Sequence, residues 1–394
     1  MRPLALSHMC VASSVGFGLD ATLAALRSGR SGLTPRPFET VTLPTWTGEI
    51  QALDNVRLQG EHAAFDCRNN RLAEVALGQD GFADAVRAAI ERHGAARVAL
   101  VAGTSTSGIL QTEQAFRARD ATTGALPAEF HYEQTHTTGS LAAYLRARLG
   151  IEGPAFVVSC ACASSAKAFG NAARMIAAGL CDAAVVGGAD SLCLTTLYGF
   201  HSLALNAPGP CRPFDIARDG ISIGEAAGFV LLERPRPGDT SVHLLGFGES
   251  NDAHHMSSPH PEGAGARLAM ERALSSAGIG AEQIDYINMH GTATRVGDIA
   301  EDLAVFNLFG DRPARGSTKG HTGHTLGAAG IVEAIVSALA IEHGLVPGTP
   351  HTETIDPALH GRYQLAAGTG RVDRVLSNSF GFGGSNCSLV FGAP

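Results

Sequence analysis

Four stretches of the sequence carry residue types able to do covalent or proton-transfer chemistry, and small residues surround each of them. In VVSCACASSAKAFGNAAR, Cys162 stands between an apolar run and a small-residue helical pattern. A cysteine at the mouth of a helix lies near unpaired N–H groups and the positive end of the helix dipole, which favour thiolate. Cys162 is therefore the candidate nucleophile. Cys160, Cys181 and Cys193 are read as small buried hydrophobes, the commoner fate of a free cysteine.

In YINMHGTATRVGD, His290 leaves an apolar run and is followed by Thr292 and Thr294 at alternate positions. One imidazole and two hydroxyls could line a cleft wall, although a strand-end histidine also serves as a structural hydrogen-bonding group. In RGSTKGHTGHTLGAAG, Lys319 and His324 sit among glycines just before an apolar helical pattern. A phosphate loop is excluded there, because Lys319 follows Ser-Thr rather than Gly. Zinc held by His321 and His324 lacks a supporting cysteine or carboxylate cluster in the sequence. In SNSFGFGGSNCSLVFG, the glycines around Phe380 and Phe382 allow a sharp bend that could aim an amide at a developing oxyanion. The turn of a buried hairpin is the alternative for that segment.

These residues need a scaffold, and its pattern is visible. Apolar runs at Arg97, Ala155, Ala183, Gly228, Tyr286 and Asn386 alternate with amphipathic or Ala-rich segments that close at glycine, as in an α/β protein with buried strands. The Pro-rich ERPRPGDTS stretch, Glu233 to Ser241, divides the chain into residues 1–236, carrying the cysteine, and 237–394, carrying the histidines and lysine. Both halves run from a strand or small-residue segment straight into a helix at the reactive stretch, which implies a duplicated unit with chemistry between the copies.

The 394 residues can bury one large core, and 45% hydrophobic against 17% charged residues is a globular balance. A net charge of −8 argues against a nucleic-acid binder. The eight cysteines contain no CxxC pair, as expected in a reducing compartment. The N-terminus reads as a first strand rather than a signal peptide, and no uninterrupted apolar stretch reads as membrane-spanning; a cytoplasmic location is the expectation.

Taken in order, the four motifs resemble those of the β-ketoacyl-acyl-carrier-protein synthases, particularly the elongating I/II type of the thiolase-like superfamily. CRPFDIARDGISIGEAAGFVLLE from Cys211, NDAHHMSSPHPEG from Asn251 and GDIAED after His290 extend the likeness over nearly the whole chain. The resemblance implies a five-layered αβαβα fold of two duplicated halves with the active site between them. By it, Cys162 would be acylated, His290 and His324 would be the paired histidines, and Lys319 would support His324. The amides of Cys162 and Phe382 would form the oxyanion hole, and Phe382 would also gate the acyl pocket. Thr292 and Thr294 would bind the phosphopantetheine arm, Phe380 and Thr106 would line the substrate path, and Asp298, Glu301 and Glu333 would order the site.

The implied reaction moves an acyl group onto Cys162 and condenses it with malonyl-ACP after decarboxylation, the histidines stabilising the enolate oxygen. No cofactor or metal is implied; the phosphopantetheine arm arrives on the carrier. Acyl-ACP and malonyl-ACP are the implied partners, in a homodimer or a heterodimer with a chain-length-factor-like subunit. The sequence departs from the family pattern at its N-terminal strand, at Lys167 and in Thr104-Ser105-Thr106-Ser107, which replaces a more glycine-rich stretch near the expected acyl pocket. These departures raise a specialised polyene or polyketide-like pathway beside fatty-acid elongation. The rival readings are a non-catalytic chain-length partner, against which the retained reactive residues speak, and a thiolase, which would need a second cysteine such as Cys387 near its C-terminus.

Overall fold

The computed structural model describes residues 1–394. Ten strands carry the fold: β1 (Leu4–Ser13), β2 (Val98–Gly103), β3 (Ala155–Val158), β4 (Ala183–Asp190), β5 (Ala226–Glu233), β6 (His243–Asn251), β7 (Tyr286–Asn288), β8 (Ala314–Gly316), β9 (Arg374–Gly381) and β10 (Ser385–Gly392). The main helices are α1 (Arg68–Leu77), α2 (Phe82–His93), α3 (Gly139–Leu149), α4 (Ser164–Ala177), α5 (Ala264–Ala277), α6 (Arg295–Phe309) and α7 (Ala329–His343).

The strands form two leaves of identical topology. The first is ordered β3-β2-β4-β5-β1 and the second β8-β7-β9-β10-β6. In each, the first three strands are parallel and the last two run antiparallel to their neighbours. The leaves join only where Leu4 and Ala5 pair with Leu244 and His243. Sequence periodicity could expose the layout of the two halves, but not this shared strand order, which depends on non-local pairing.

Burial explains the element types. Strands β2, β4 and β5 are buried at every position, so their sequences are near-continuous apolar runs instead of alternating ones. Helices α4 and α7 lie between the leaves, packed against both in one core that includes Phe169, Ile176, Ile331 and Ile335. Helices α1, α2 and α3 cover the outer face of the first leaf, and α5 and α6 that of the second. The layers are thus αβαβα.

Helix α7 bears on one sequence expectation. Residues Leu326–His343 are long and apolar enough to cross a bilayer by composition, but 83% of that stretch is buried inside this fold. A helix sandwiched between two sheets must be apolar on all sides. Glu333, in its second turn, is the buried charge of this helix, and it pairs with Lys319.

Candidate active site

Strand β3 ends at Val158, and the chain turns through Ala161 at φ 49° before α4 begins at Ser164. That left-handed residue, sterically costly for a side chain with a Cβ, sets Cys162 at the helix mouth. From the other half, residues 319–328 lead into α7. His324 is fixed by backbone pairing to the first half: its N–H donates to the Ser222 carbonyl (2.7 Å) and its carbonyl accepts from Gly224 N–H (3.0 Å). Gly224 is required by this approach, since a Cβ there would stand 2.0 Å from the Thr322 carbonyl oxygen.

The two halves therefore place His324 Nε2 3.0 Å from Cys162 Sγ. His290, just past β7, sets its ring 5.3 Å from that of His324 at 85°. The ligating atoms of Cys162, His290 and His324 all lie within 4.8 Å of one another. His321 is not in this group; its Nδ1 is 2.8 Å from the Arg30 carbonyl oxygen, so the His321–His324 metal pairing weighed from spacing does not form.

Burial governs the electrostatics. It pushes the Cys162 thiol up to about 12, opposed chiefly by the positive charge of Lys319. The sequence expectation of a resting thiolate is thereby corrected: the helix mouth is present, but desolvation outweighs it. Burial also drives both imidazoles well below their ordinary range, helped by Lys319. The resting site is a neutral thiol facing two neutral imidazoles. Such a site can pass the sulfur proton to His324 Nε2 and can donate hydrogen bonds to an oxygen from both rings.

Lys319 corrects a second expectation. Its ammonium donates to the His290 carbonyl oxygen (2.5 Å), lies 3.4 Å from His290 Nδ1 and pairs with Glu333. It thus supports His290, not His324. Glu301 accepts from the amides of His290 and Gly291 at 2.8 Å each and from Asn378 Nδ2 at 3.1 Å. Asp298 accepts from Phe214 N–H (2.8 Å) and Ala293 N–H (3.2 Å) and faces Arg218 Nε at 3.4 Å. Burial raises Asp298 and Glu333 to about 7.

A cleft of about 430 Å³ runs from Cys162 to the surface. Thr292 and Thr294 line it with hydroxyl oxygens 3.0 Å apart, and Phe380 and Phe382 line it as well. Phe382 is 36% exposed, and its ring is 5.5 Å from that of Phe200. Thr106, expected on the substrate path, is not on the cleft wall: it is buried, and its hydroxyl donates to Asp190. Cys387 is packed in the central core on β10, away from the cleft. Cys160, expected to be buried, is half-buried.

Sequence reasoning missed Phe200 and Asp190. Phe200 gave no signal, because a helical aromatic is ordinarily core. Asp190 did give one: it is a carboxylate closing the wholly buried run AAVVGGAD.

Residues 2–237 match the family model for the beta-ketoacyl synthase N-terminal domain, and residues 242–353 that for the C-terminal domain. The 3-oxoacyl-[acyl-carrier-protein] synthase 2 of Vibrio cholerae is 32% identical over 99% of each chain. The mitochondrial 3-oxoacyl-[acyl-carrier-protein] synthase of Arabidopsis thaliana is 42% identical over 62% of this chain and 57% of its own length. A ketosynthase from Xenorhabdus doucetiae, solved in complex with its chain length factor, superposes with a TM-score of 0.91 at 37% identity, covering 100% of this chain and 98% of that one. With the duplicated leaves and the ordered motifs, these matches show that the chain belongs to the beta-ketoacyl synthase family, as an acyltransferase of the 3-oxoacyl-[acyl-carrier-protein] synthase type.

Proposed function

We propose that this synthase takes its acyl group onto Cys162 and extends it by decarboxylative condensation with malonyl-ACP. The observation that carries the proposal is the 3.0 Å approach of His324 Nε2 to Cys162 Sγ, with His290 beside it at the end of a surface cleft. In the first stage the sulfur proton passes to His324 as sulfur attacks the acyl thioester, and the carrier thiol leaves with a proton. In the second, both imidazoles donate to the malonyl thioester oxygen. Loss of carbon dioxide then leaves an enolate, which attacks the acyl-Cys162 carbonyl; the tetrahedral intermediate expels the Cys162 thiolate, which takes a proton from water, and the 3-oxoacyl product departs. Side chains and substrate suffice for these steps, with the phosphopantetheine arm brought by the carrier and laid along Thr292 and Thr294. The amides of Cys162 and Phe382 serve the acyl oxyanion.

The pathway we favour is a specialised polyene or polyketide-like one, with a chain-length-factor-like subunit as partner. Two features support it: the hydroxyl-rich Thr104–Ser107 run, and likeness over the full chain to a ketosynthase solved with such a factor. Strand β3 offers the partner an edge, since it pairs only with β2 and exposes Phe156.

Intact-protein mass spectrometry after incubation with a panel of acyl-ACPs tests the assignment. An acyl adduct on the wild type that is lost in Cys162→Ala is the expected result. Labelling that persists in the variant rejects Cys162 as the nucleophile.

A further inference from the structure

Asp190, at the end of β4, is fully buried and is satisfied by neutral donors alone. The hydroxyls of Thr104, Ser105 and Thr106 donate to it at 2.6, 2.5 and 2.8 Å. The amides of Ser105, Thr106 and Gly327 donate at 2.8, 2.9 and 2.5 Å. A carboxylate offers about four lone-pair sites, so these groups saturate it. Five of the donors come from the hydroxyl-rich Thr104–Ser107 run. The sixth, Gly327, belongs to the other half and lies three residues beyond His324.

We propose that Asp190 is a positioning residue for the Cys162–His324 pair, tying the His324 loop to the first half and holding a fixed negative charge near the nucleophile. His324 is gripped from one side by Ser222 and Gly224, and Asp190 supplies the grip on the other side through Gly327. The helices that follow are joined as well, since Ile331 N–H donates to Ser165 Oγ at 2.9 Å. Relaxing one grip lets His324 swing relative to the sulfur, and misplacement of about 1 Å can cost on the order of a hundredfold in rate.

His324 and His290 lie beside Cys162, and the charges of Lys319, Glu333 and Asp190 act on it. Lys319 favours thiolate; Glu333 and Asp190 oppose it. Glu333 is paired with Lys319, whereas Asp190 has no cation partner to offset it. Its charge therefore helps keep the thiol protonated until His324 accepts the proton.

The inference rests on Cys162 as the nucleophile, and its test separates the two. Alkylation of Cys162 by iodoacetamide, read by mass spectrometry against pH, needs no substrate; condensation kinetics are measured alongside. For Asp190→Asn the alkylation curve should move about one pH unit lower, because a like charge is removed. Its kcat should fall at least about tenfold with KM within about twofold. Gly327→Ala keeps the charge but sets a Cβ 2.6 Å from Asp190 Oδ2. It should lose kcat similarly while its alkylation curve stays in place. A folded Asp190→Asn with the wild-type curve and wild-type kcat overturns the proposal. If that variant does not fold, wild-type kcat in Gly327→Ala overturns it. A shifted curve for Asp190→Asn beside a wild type that condenses no acyl-ACP would instead sink the ketosynthase mechanism and leave the electrostatic effect of Asp190 on Cys162 standing.

Discussion

The ammonium of Lys319 lies 2.5 Å from the carbonyl oxygen of His290 and also pairs with the carboxylate of Glu333, so one buried cation joins His290 to helix α7. Lys319 and Glu333 are 2% and 3% exposed. Removing one partner of such a pair leaves an uncompensated buried charge, which costs about 3–5 kcal/mol. Lys319→Met should therefore lower the urea midpoint by that equivalent, and Lys319→Met with Glu333→Gln should recover part of the loss. Condensation should stay low in both, since neither restores the grip on His290. Equal stability of the single and double variants would show that the pair is not coupled.

His290 and His324 should fail differently. His324 touches the sulfur; His290 contacts its neighbour's ring and Lys319 instead. His324→Ala should slow both acylation of Cys162 and condensation. His290→Ala should acylate within about fivefold of wild type yet lose about 10²–10³ in the condensation step, the usual cost of one oxyanion donor. Single-turnover acylation followed by malonyl-ACP addition separates the two. Comparable loss of acylation in both variants would contradict the division of labour.

The strands and long helices were legible because burial between two layers writes a simple pattern: VALVAG and AAVVGG read as buried strands, and helix ends fall at glycines such as Gly278 and Gly344. Cys162, His290 and His324, which the fold brings together, were legible from their motifs. Which group each one touches was not, because contacts such as Lys319 to His290 and Thr106 to Asp190 are set by long-range packing. The protonation of Cys162 was misread for a related reason. A helix mouth is visible in the sequence, but the burial that overrides its dipole appears only when the two halves close over the sulfur.

That burial has a measurable consequence. With the thiol pushed up to about 12, thiolate is scarce at neutral pH and grows as pH rises. Iodoacetamide labelling of Cys162 should therefore climb about tenfold per pH unit between roughly pH 7 and 10, without a plateau, in proportion to thiolate. Lys319 favours thiolate, so Lys319→Met should lower the rate at every pH in this range. A plateau beginning below pH 8 would mean that the resting sulfur is already ionised and that the dipole wins after all.

The exposed edge of β3 leads to the last prediction. Its ladder to β2 uses one side of the strand, and no strand in this chain takes the other. Phe156 is 38% exposed on it, and an open edge bearing a large apolar side chain is a template for another chain. If a second ketosynthase-fold subunit docks there, Phe156→Lys should place a charge in the interface and dissociate the assembly, while the monomer keeps its far-ultraviolet circular dichroism. Light scattering coupled to gel filtration, with the chain alone and co-expressed with a chain-length-factor-type subunit, reads both arms. An assembly of unchanged mass and stability in Phe156→Lys would move the interface away from this edge.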